Sequence, residues 1–403
     1  MFVKQLLPAF VAIGSVAAQT STCTVSTTTV NSQADATKLA DCDTVKGSVV
    51  VGTTAGDINL DGPKEITGDF KVLNNGAISQ ISSSSLEKVG GAFTMTNVTK
   101  LNTINFSSLT SVQSLSWQSL TGINSVTLGP LREADSVIIS DTFLNNLDAF
   151  NLSTVKVLNL NNNRRLVKIS NSLKSLSDFL NIQANGLNLE VEFPDLIWIA
   201  NMTVANVTKF SIPSLKVVNG SARFDSNFFT SFSAPNLTKT ESGDISFVGN
   251  AKLQNMTFPK LTAIGGGLLV ANNTGLDKID AFNKLETVGG AVKLRGNFTD
   301  VSFPELDVVK GAFDVSSTAD IDEACDKLKE LAPRSQGGSG NIQGTWACTS
   351  NNSKANEDTD SSTSAGGSSG GSNGSNDENG AAGIAFNAAL LGLVGVAAFA
   401  SAL

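Results

Sequence analysis

The 403-residue chain contains no histidine and no tyrosine. The missing histidine removes Ser-His-Asp and Cys-His catalysis, imidazole-ligated zinc and the commonest general base near neutral pH. Charge is scarce as well: Asp, Glu, Lys and Arg make up 16% of the residues, against about a quarter in ordinary globular domains. The charges sum to −8, so the basic surface that a nucleic-acid partner needs is not expected. Four cysteines form no C-x-x-C pair, which leaves thiolate metal centres and thioredoxin-like chemistry without a basis. No cofactor and no metal site is expected.

Long hydrophobic runs are confined to the two ends. Lys4, the apolar stretch from Leu6 to Ala17 and the small residues Val16-Ala17-Ala18 read as a secretory signal over residues 1–18. Residues 384–403, IAFNAALLGLVGVAAFASAL, carry no charge. A single-pass membrane helix of this length should be followed by cytosolic Lys or Arg, and none follows. Upstream lies SSGGSNGSNDENGAAG, so small residues, a polar spacer and an apolar tail occur in the order of a glycosylphosphatidylinositol (GPI) attachment signal. Asn379 is the preferred attachment residue, with Gly380, Asn376 and Ser375 as alternatives, and residues 381–403 are then removed on anchoring. Residues 349–380 lack Val, Ile, Leu, Phe and Trp, and 12 of the 32 are Ser or Thr. That segment is expected as a disordered stalk, because it has too little apolar area to offset its ordering entropy.

Between the ends one pattern repeats. Its first half reads F-P-x-L-x-x-V, as in Phe193-Pro-Asp-Leu196, Ile212-Pro-Ser-Leu215, Ala234-Pro-Asn-Leu237, Phe258-Pro-Lys-Leu261 and Phe303-Pro-Glu-Leu306. Taking Leu as the marker, it falls at 86, 109, 131, 152, 176, 196, 215, 237, 261, 285 and 306, with weaker copies around Val45 and Ile66. The second half is a short apolar-x-apolar strand, for example Leu158-Asn-Leu160 and Val292-Lys-Leu294, and alternation of this kind predicts strands rather than helices. A unit of about 22 residues that cannot bury its own apolar face must stack on its neighbours. The expected fold is all-β: a right-handed parallel β-solenoid of about 13 coils, over residues 19–348, with short helices at both ends. Asn75, Asn163, Asn185, Asn227, Asn250, Asn273 and Asn297 hold one register and predict an inward ladder; the plain alternative is that Asn is common in turns.

Ser32-Gln-Ala-Asp35 resembles a capping box opening one end helix, and Asp320-Ile-Asp-Glu323 opens another. Thirteen coils at about 4.8 Å place the ends roughly 60 Å apart, whereas bridged Cα atoms lie within about 7 Å. Only Cys23–Cys42 and Cys325–Cys348 remain as pairings in the folded chain. N-x-[ST] occurs at Asn97, Asn105, Asn151, Asn201, Asn206, Asn219, Asn236, Asn255, Asn272, Asn297, Asn351 and Asn373, which predicts heavy N-glycosylation. The outward residue of each strand, from Lys71 through Arg223 and Lys293 to Asp314, is never one of these asparagines. Lys71, Arg223 and Lys293 are the candidate binding residues of that glycan-free strip, whose alternative is a merely solvated surface. Glycoside hydrolysis needs two carboxyl groups about 5–9.5 Å apart. Asp225 and Asp244, on adjacent coils but at opposite strand ends, are expected about 13–14 Å apart, so a non-enzymatic protein is the expectation.

The combination resembles the fungal family of GPI-anchored cell-wall organisation proteins, the extracellular-mutant and sporulation-specific group, built on repeats similar to the L domains of growth-factor receptors. The resemblance is carried by the Ser32–Cys42 cap leading into Val45-Lys-Gly-Ser-Val, the F-P-x-L-x-x-V-x-G units, Cys325 and Cys348, the Ser/Gly stalk and the apolar tail. It implies a surface mannoprotein needed for wall assembly and integrity, held to the membrane through its anchor, with a wall polysaccharide or wall protein as the class of partner. A receptor-like module for a wall glycan or peptide is the alternative function.

Overall fold

The computed structural model describes residues 23–357. The expected signal segment, Asn373, the four candidate attachment residues and the apolar tail lie outside the described residues. The chain winds as a parallel β-solenoid of about 13 turns. One long sheet holds 21 strands, and shorter sheets of four, three, two and two strands form the other walls. Every pairing is parallel, and the register runs from turn to turn: Lys71 pairs with Thr94, Thr94 with Ser116, Ser116 with Ile138, and so on through Arg223–Ser246 and Leu269–Lys293 to Asp314.

The repeat builds this fold because each apolar position points inward at every turn. The marker leucines from Leu86 to Leu306 are all buried, as are Phe193, Ile212, Ala234, Phe258 and Phe303 before the prolines. Leu176 is the exception to the marker assignment. It pairs with Ile199, three residues beyond the marker Leu196, so Leu173, also fully buried, is the marker of that turn. Aromatic rings stack along the interior, with Phe224 on Phe247 at 4.6 Å and Phe258 on Phe282 at 5.3 Å between centroids.

Glycine divides the long sheet into two styles. Between Ser111 and Ala205 each turn crosses it as one continuous strand, such as Ser111–Leu120 or Trp198–Ala205. After that, each crossing splits into two short strands, such as Val217–Val218 and Ala222–Asp225. At the split, Gly220, Gly243, Gly266, Gly290 and Gly311 lie over one another. A Cβ on Gly243 would stand 2.1 Å from the backbone of Gly220, and one on Gly266 would stand 2.7 Å from that of Gly243. Only glycine lets the backbones approach so closely. This is why glycine recurs after the first short strand in those turns, as in Val218-Asn-Gly220, Val288-Gly-Gly290 and Val309-Lys-Gly311.

The asparagine register has two roles, side by side. Once per turn a residue at the end of the long-sheet strand or just after it adopts positive φ: Asn74, Asn97, Ser119, Asp141, Asn162, Ala184, Asn206, Ser226, Gly249 and Asn272. Asn tolerates this left-handed conformation better than most residues. The residue after it turns inward. Asn163 donates to Asn185 through both its backbone N–H (3.0 Å) and Nδ2 (3.1 Å), and Asn227, Asn250 and Asn273 continue the arrangement in a second run. Asn75 stands apart from both runs: its Nδ2 donates to the Gly52 and Ala55 carbonyls of the preceding turn, and its Oδ1 accepts from the Ala77 and Ile78 N–H groups of its own. The ladder does not reach Asn297, which is exposed. There Phe298 folds in with no exposed surface, and Gly296 leaves room for its ring, 2.4 Å from where a Cβ would stand. The inward reading of Asn297 is therefore corrected: its Oδ1 accepts from the Thr318 hydroxyl at the surface.

The ends are closed by caps. Cys23 is bonded to Cys42, and Cys325 to Cys348. Helix α1 spans Gln33–Thr37, with the Ser32 side chain accepting from the Asp35 N–H and Asp35 accepting from the Asn31 N–H. Helix α2 spans Asp322–Lys329 and buries Ala324 and Leu328. Its N-cap is Ile321, and Asp320, just outside it, accepts from the Asp322 N–H and the Ser350 hydroxyl, so the Asp320–Glu323 start read from the sequence sits one residue early. Order also continues past Cys348. Asn352 bonds to Ser316 and Ser317, and Ala355 is fully buried, so the described fold extends into the segment expected as stalk.

Candidate functional site: the outer face of the long sheet

Among the described residues, the outer face of the long sheet carries an aligned row of side chains that runs from Lys71 to Asp314. Alternation within each strand sends every second residue to it, and the parallel register keeps those residues in line. Lys71, Arg223 and Lys293 all lie on that row, but the fold does not gather them. Seven rungs separate Lys71 from Arg223 and three separate Arg223 from Lys293, or about 34 Å and 14 Å at 4.8 Å per rung. The three are stations on a strip and do not make a single pocket.

Charge on this face is largely paired within itself. Lys71 sits 2.6 Å from Asp69. The Lys71 ammonium and the Ala92 N–H together hold the Asp69 carboxyl below its ordinary range. Further along, Arg295 grips both oxygens of Asp314 at 3.0 and 2.5 Å, the two-pronged geometry in which guanidinium and carboxylate bond best. Arg223 and Asp225 are different. Their contact is long, 3.6 Å, and burial pushes the Asp225 carboxyl up despite the opposing pull of Arg223. Asp225 and its neighbour Ser246 were not among the binding residues read from the sequence. The available signal was the R-F-D alternation of Arg223-Phe224-Asp225, which places both charges on one face of a strand.

The middle of the face is an amide and hydroxyl surface. Asn159 Oδ1 accepts from Asn181 (2.9 Å) and Asn161 (2.8 Å), and Asn161 Oδ1 accepts from Ser140. Asp244 lies at the edge of the row and accepts from the Gly267 N–H, as Asp69 does from Ala92. Both carboxylates thus close the backbone of the next turn. Asn201 does the same for the Ser221 N–H, and it is the sequon asparagine that shares the sheet with the strip. None of the eleven sequon asparagines among the described residues is buried. Asn97, Asn206 and Asn272 occupy left-handed corner positions, and Asn105 and Asn255 lie on the strands Thr103–Phe106 and Asn255–Thr257 of other walls.

Comparison with known proteins agrees with this architecture. A family model described as Ecm33, GPI-anchored cell wall organization protein, matches residues 1–40. A "Cell surface GPI-anchored protein" of Arthroderma benhamiae is 38% identical over 308 residues, covering 75% of this chain and 78% of the relative. "Protein ecm33" of Aspergillus fumigatus is 36% identical over 86% of this chain and 85% of its own length. "Sporulation-specific protein 2" of Saccharomyces cerevisiae is 32% identical over 70% of this chain and 56% of that protein. No solved structure matches. The chain belongs to the Ecm33 family of GPI-anchored cell wall organization proteins of the fungal cell surface.

Proposed function

We propose that this protein is a non-enzymatic structural glycoprotein, acting as a rigid, sugar-coated rod tethered at the plasma membrane and contributing to the organisation and integrity of the fungal wall. In this reading residues 1–18 direct secretion, the solenoid forms the ectodomain, the Ser/Gly-rich segment before Asn379 spaces it from the membrane, and Asn379 carries the anchor once the apolar tail is removed. The N-glycans stand on the eleven described sequon asparagines and on Asn373. Wall polysaccharide or other wall proteins are the partners. The observation that carries the reading is the segregation of the asparagines: those of the ladder are enclosed, while every described sequon asparagine reaches the surface. The names printed for the relatives support the same location.

The test separates tether from rod. In a host lacking the protein, a chain stopped after Glu357 should be secreted and leave the wall sensitive to wall-perturbing dyes, whereas the full chain restores resistance. Full rescue by the untethered chain sinks the tethered reading.

A further inference from the structure

Lys71, Arg223 and Asp314 of the outward row each form an ion pair with a neighbour on the same face, and two of these three pairs are saturated. Asp69 is held by Lys71 and by the Ala92 N–H, and Asp314 is gripped by both prongs of Arg295. The third pair retains unused hydrogen-bonding capacity. Among the described residues, Arg223 Nε and Asp225 Oδ1 have no hydrogen-bond partner, and neither has Ser246 Oγ on the adjoining strand. Ser246 is 5% exposed and pairs with Arg223 across the sheet, so all three unspent groups belong to one patch. Buried polar groups without partners destabilise a fold, because their hydration is lost and nothing replaces it. They are uncommon enough in folded proteins to call for a partner.

We propose that Arg223, Asp225 and Ser246 form a binding site for a neutral hexopyranose unit of a glycan. The chemistry selects that class. An anion reaching Arg223 would meet the Asp225 carboxylate, and a cation reaching Asp225 would meet the guanidinium. A sugar hydroxyl both donates and accepts, so a diol can give its protons to Asp225 and Ser246 while taking one from Arg223. Leu269 pairs with Ser246, and Val248 pairs with Asp225; these aliphatic neighbours offer the C–H face of a pyranose an apolar floor. The side chains of Arg223 and Asp225 are each 30% exposed. Their ends can therefore turn to a ligand, giving up only an ion pair already stretched to 3.6 Å. Asn201 lies on the next strand, two residues before Thr203, which pairs with Arg223. The hexose can thus come from wall polysaccharide or from the chain's own glycan on Asn201. The site deepens the wall-protein reading above and rests on it for the sugar's source.

The test uses the full chain purified in detergent and titrated with mannan, with a soluble β-1,3-glucan and with chito-oligosaccharide, before and after endoglycosidase trimming. At least one glycan should bind. Asp225→Ala and Ser246→Ala should each weaken binding about tenfold or more, as expected for losing a hydrogen bond to a charged or buried group, while Lys278→Ala, on a different wall of the solenoid, leaves it unchanged. Binding that appears only after trimming identifies the Asn201 glycan as the resident sugar; binding before trimming identifies a separate polysaccharide. If no probe binds in either state, or if Ser246→Ala with an unchanged melting temperature binds like the parent, the site does not exist. A tethered chain that restores the wall but binds no glycan overturns this site alone. A chain that binds yet restores the wall untethered overturns the tether alone.

Discussion

Replacing Asn250 by Ala should be among the most damaging single changes to this fold, although it deletes no hydrophobic contact. The Asn250 carboxamide makes four hydrogen bonds inside the solenoid. Its Oδ1 accepts from the Asn227 backbone N–H (2.8 Å) and Nδ2 (3.0 Å), and its Nδ2 donates to the Phe224 carbonyl and to Asn273 Oδ1, both at 2.9 Å. Three of the four partners keep another bond: Asn227 Nδ2 still donates to Val204 O, Asn273 Oδ1 still accepts the Asn250 N–H, and the Phe224 carbonyl stays in the ladder between Ala222–Asp225 and Ile245–Val248. The Asn227 N–H is left bare in a dry interior. That stranded donor costs about 1–3 kcal/mol and each of the three other lost bonds about 0.5–1.5 kcal/mol, so the expected loss is about 3–7 kcal/mol. The control is Gln118→Ala, which removes one side-chain bond, to Ser116, at an exposed position of the outer face where water replaces it, and should cost under about 1 kcal/mol. Urea unfolding measures the totals. Because a solenoid can open locally, amide exchange at Asn227 and its neighbours on the strand Ala222–Asp225 should accelerate before exchange in the first coils does. A loss below 1 kcal/mol, or no difference from the control, would refute the view that buried amides specify these turns.

Breaking Cys325–Cys348 by substituting both residues should cost about 2–4 kcal/mol and raise exchange in α2 and in Trp346–Thr349 while leaving Thr24–Val30 protected. Acid should loosen the first coils. Burial pushes the Asp57 carboxyl up, but the N–H groups of Ser79 and Gln80 and the Ser79 hydroxyl outweigh it; the Ser84 N–H lowers Asp61, and Lys71 with the Ala92 N–H lowers Asp69. Carboxyls depressed by folding give stability that is present above their ordinary value of 3.8 and fades as pH falls through the depressed range. Exchange at Ser79, Gln80 and Ser84 should therefore rise below that value, and a flat profile down to pH 2 would contradict these contacts. Site-by-site glycopeptide analysis should find Asn297 modified to the extent of Asn236, since its side chain is exposed; an empty Asn297 in an otherwise filled chain would argue that the Phe298 turn closes before the sugar is transferred.

The repeat made the fold legible because in a solenoid one register error would turn core residues toward water at every turn. Leucine spacing, alternation and the four cysteines therefore pointed to the same architecture. Harder to read were features that depend on where the backbone goes between strands. The marker slipped from Leu173 to Leu176 because both are apolar and three residues apart in a turn without the proline. Asn297 fits the ladder by spacing, yet Gly296 and Phe298 together change which side chain turns inward. The doublets Asn74-Asn75, Asn162-Asn163 and Asn272-Asn273 hide two different needs, a left-handed corner and an interior amide, and spacing reveals only the second. On the outer face, the strip was visible from alternation, but the state of its charges was not. Whether an arginine is spent on a carboxylate depends on partners two positions along or one strand across.

Two ways of crossing the long sheet meet at the proposed sugar site, and their junction bears on why it lies there. From Ser111 to Ala205 the continuous strands present an outer face of amides and hydroxyls that bond to one another, as Asn159, Asn161, Asn181 and Ser140 do. Beyond Gly220 the glycine column shortens the strand on this wall to about four residues, and the face narrows to aliphatic positions such as Val248 and Leu269 and to the saturated Arg295–Asp314 pair. Arg223 and Asp225 belong to the first of these shortened strands, and on the side of the continuous strands they meet Thr203 and Ala205. Ala205 offers Asp225 no polar side chain, and Val248 on the other side offers none either. A carboxylate flanked by two aliphatic neighbours is left with only its own arginine, and Ser246 is too short to bridge to it. The unspent hydrogen-bonding groups are thus a consequence of the register at the junction, and they recur at neither of the other two charge pairs on the strip.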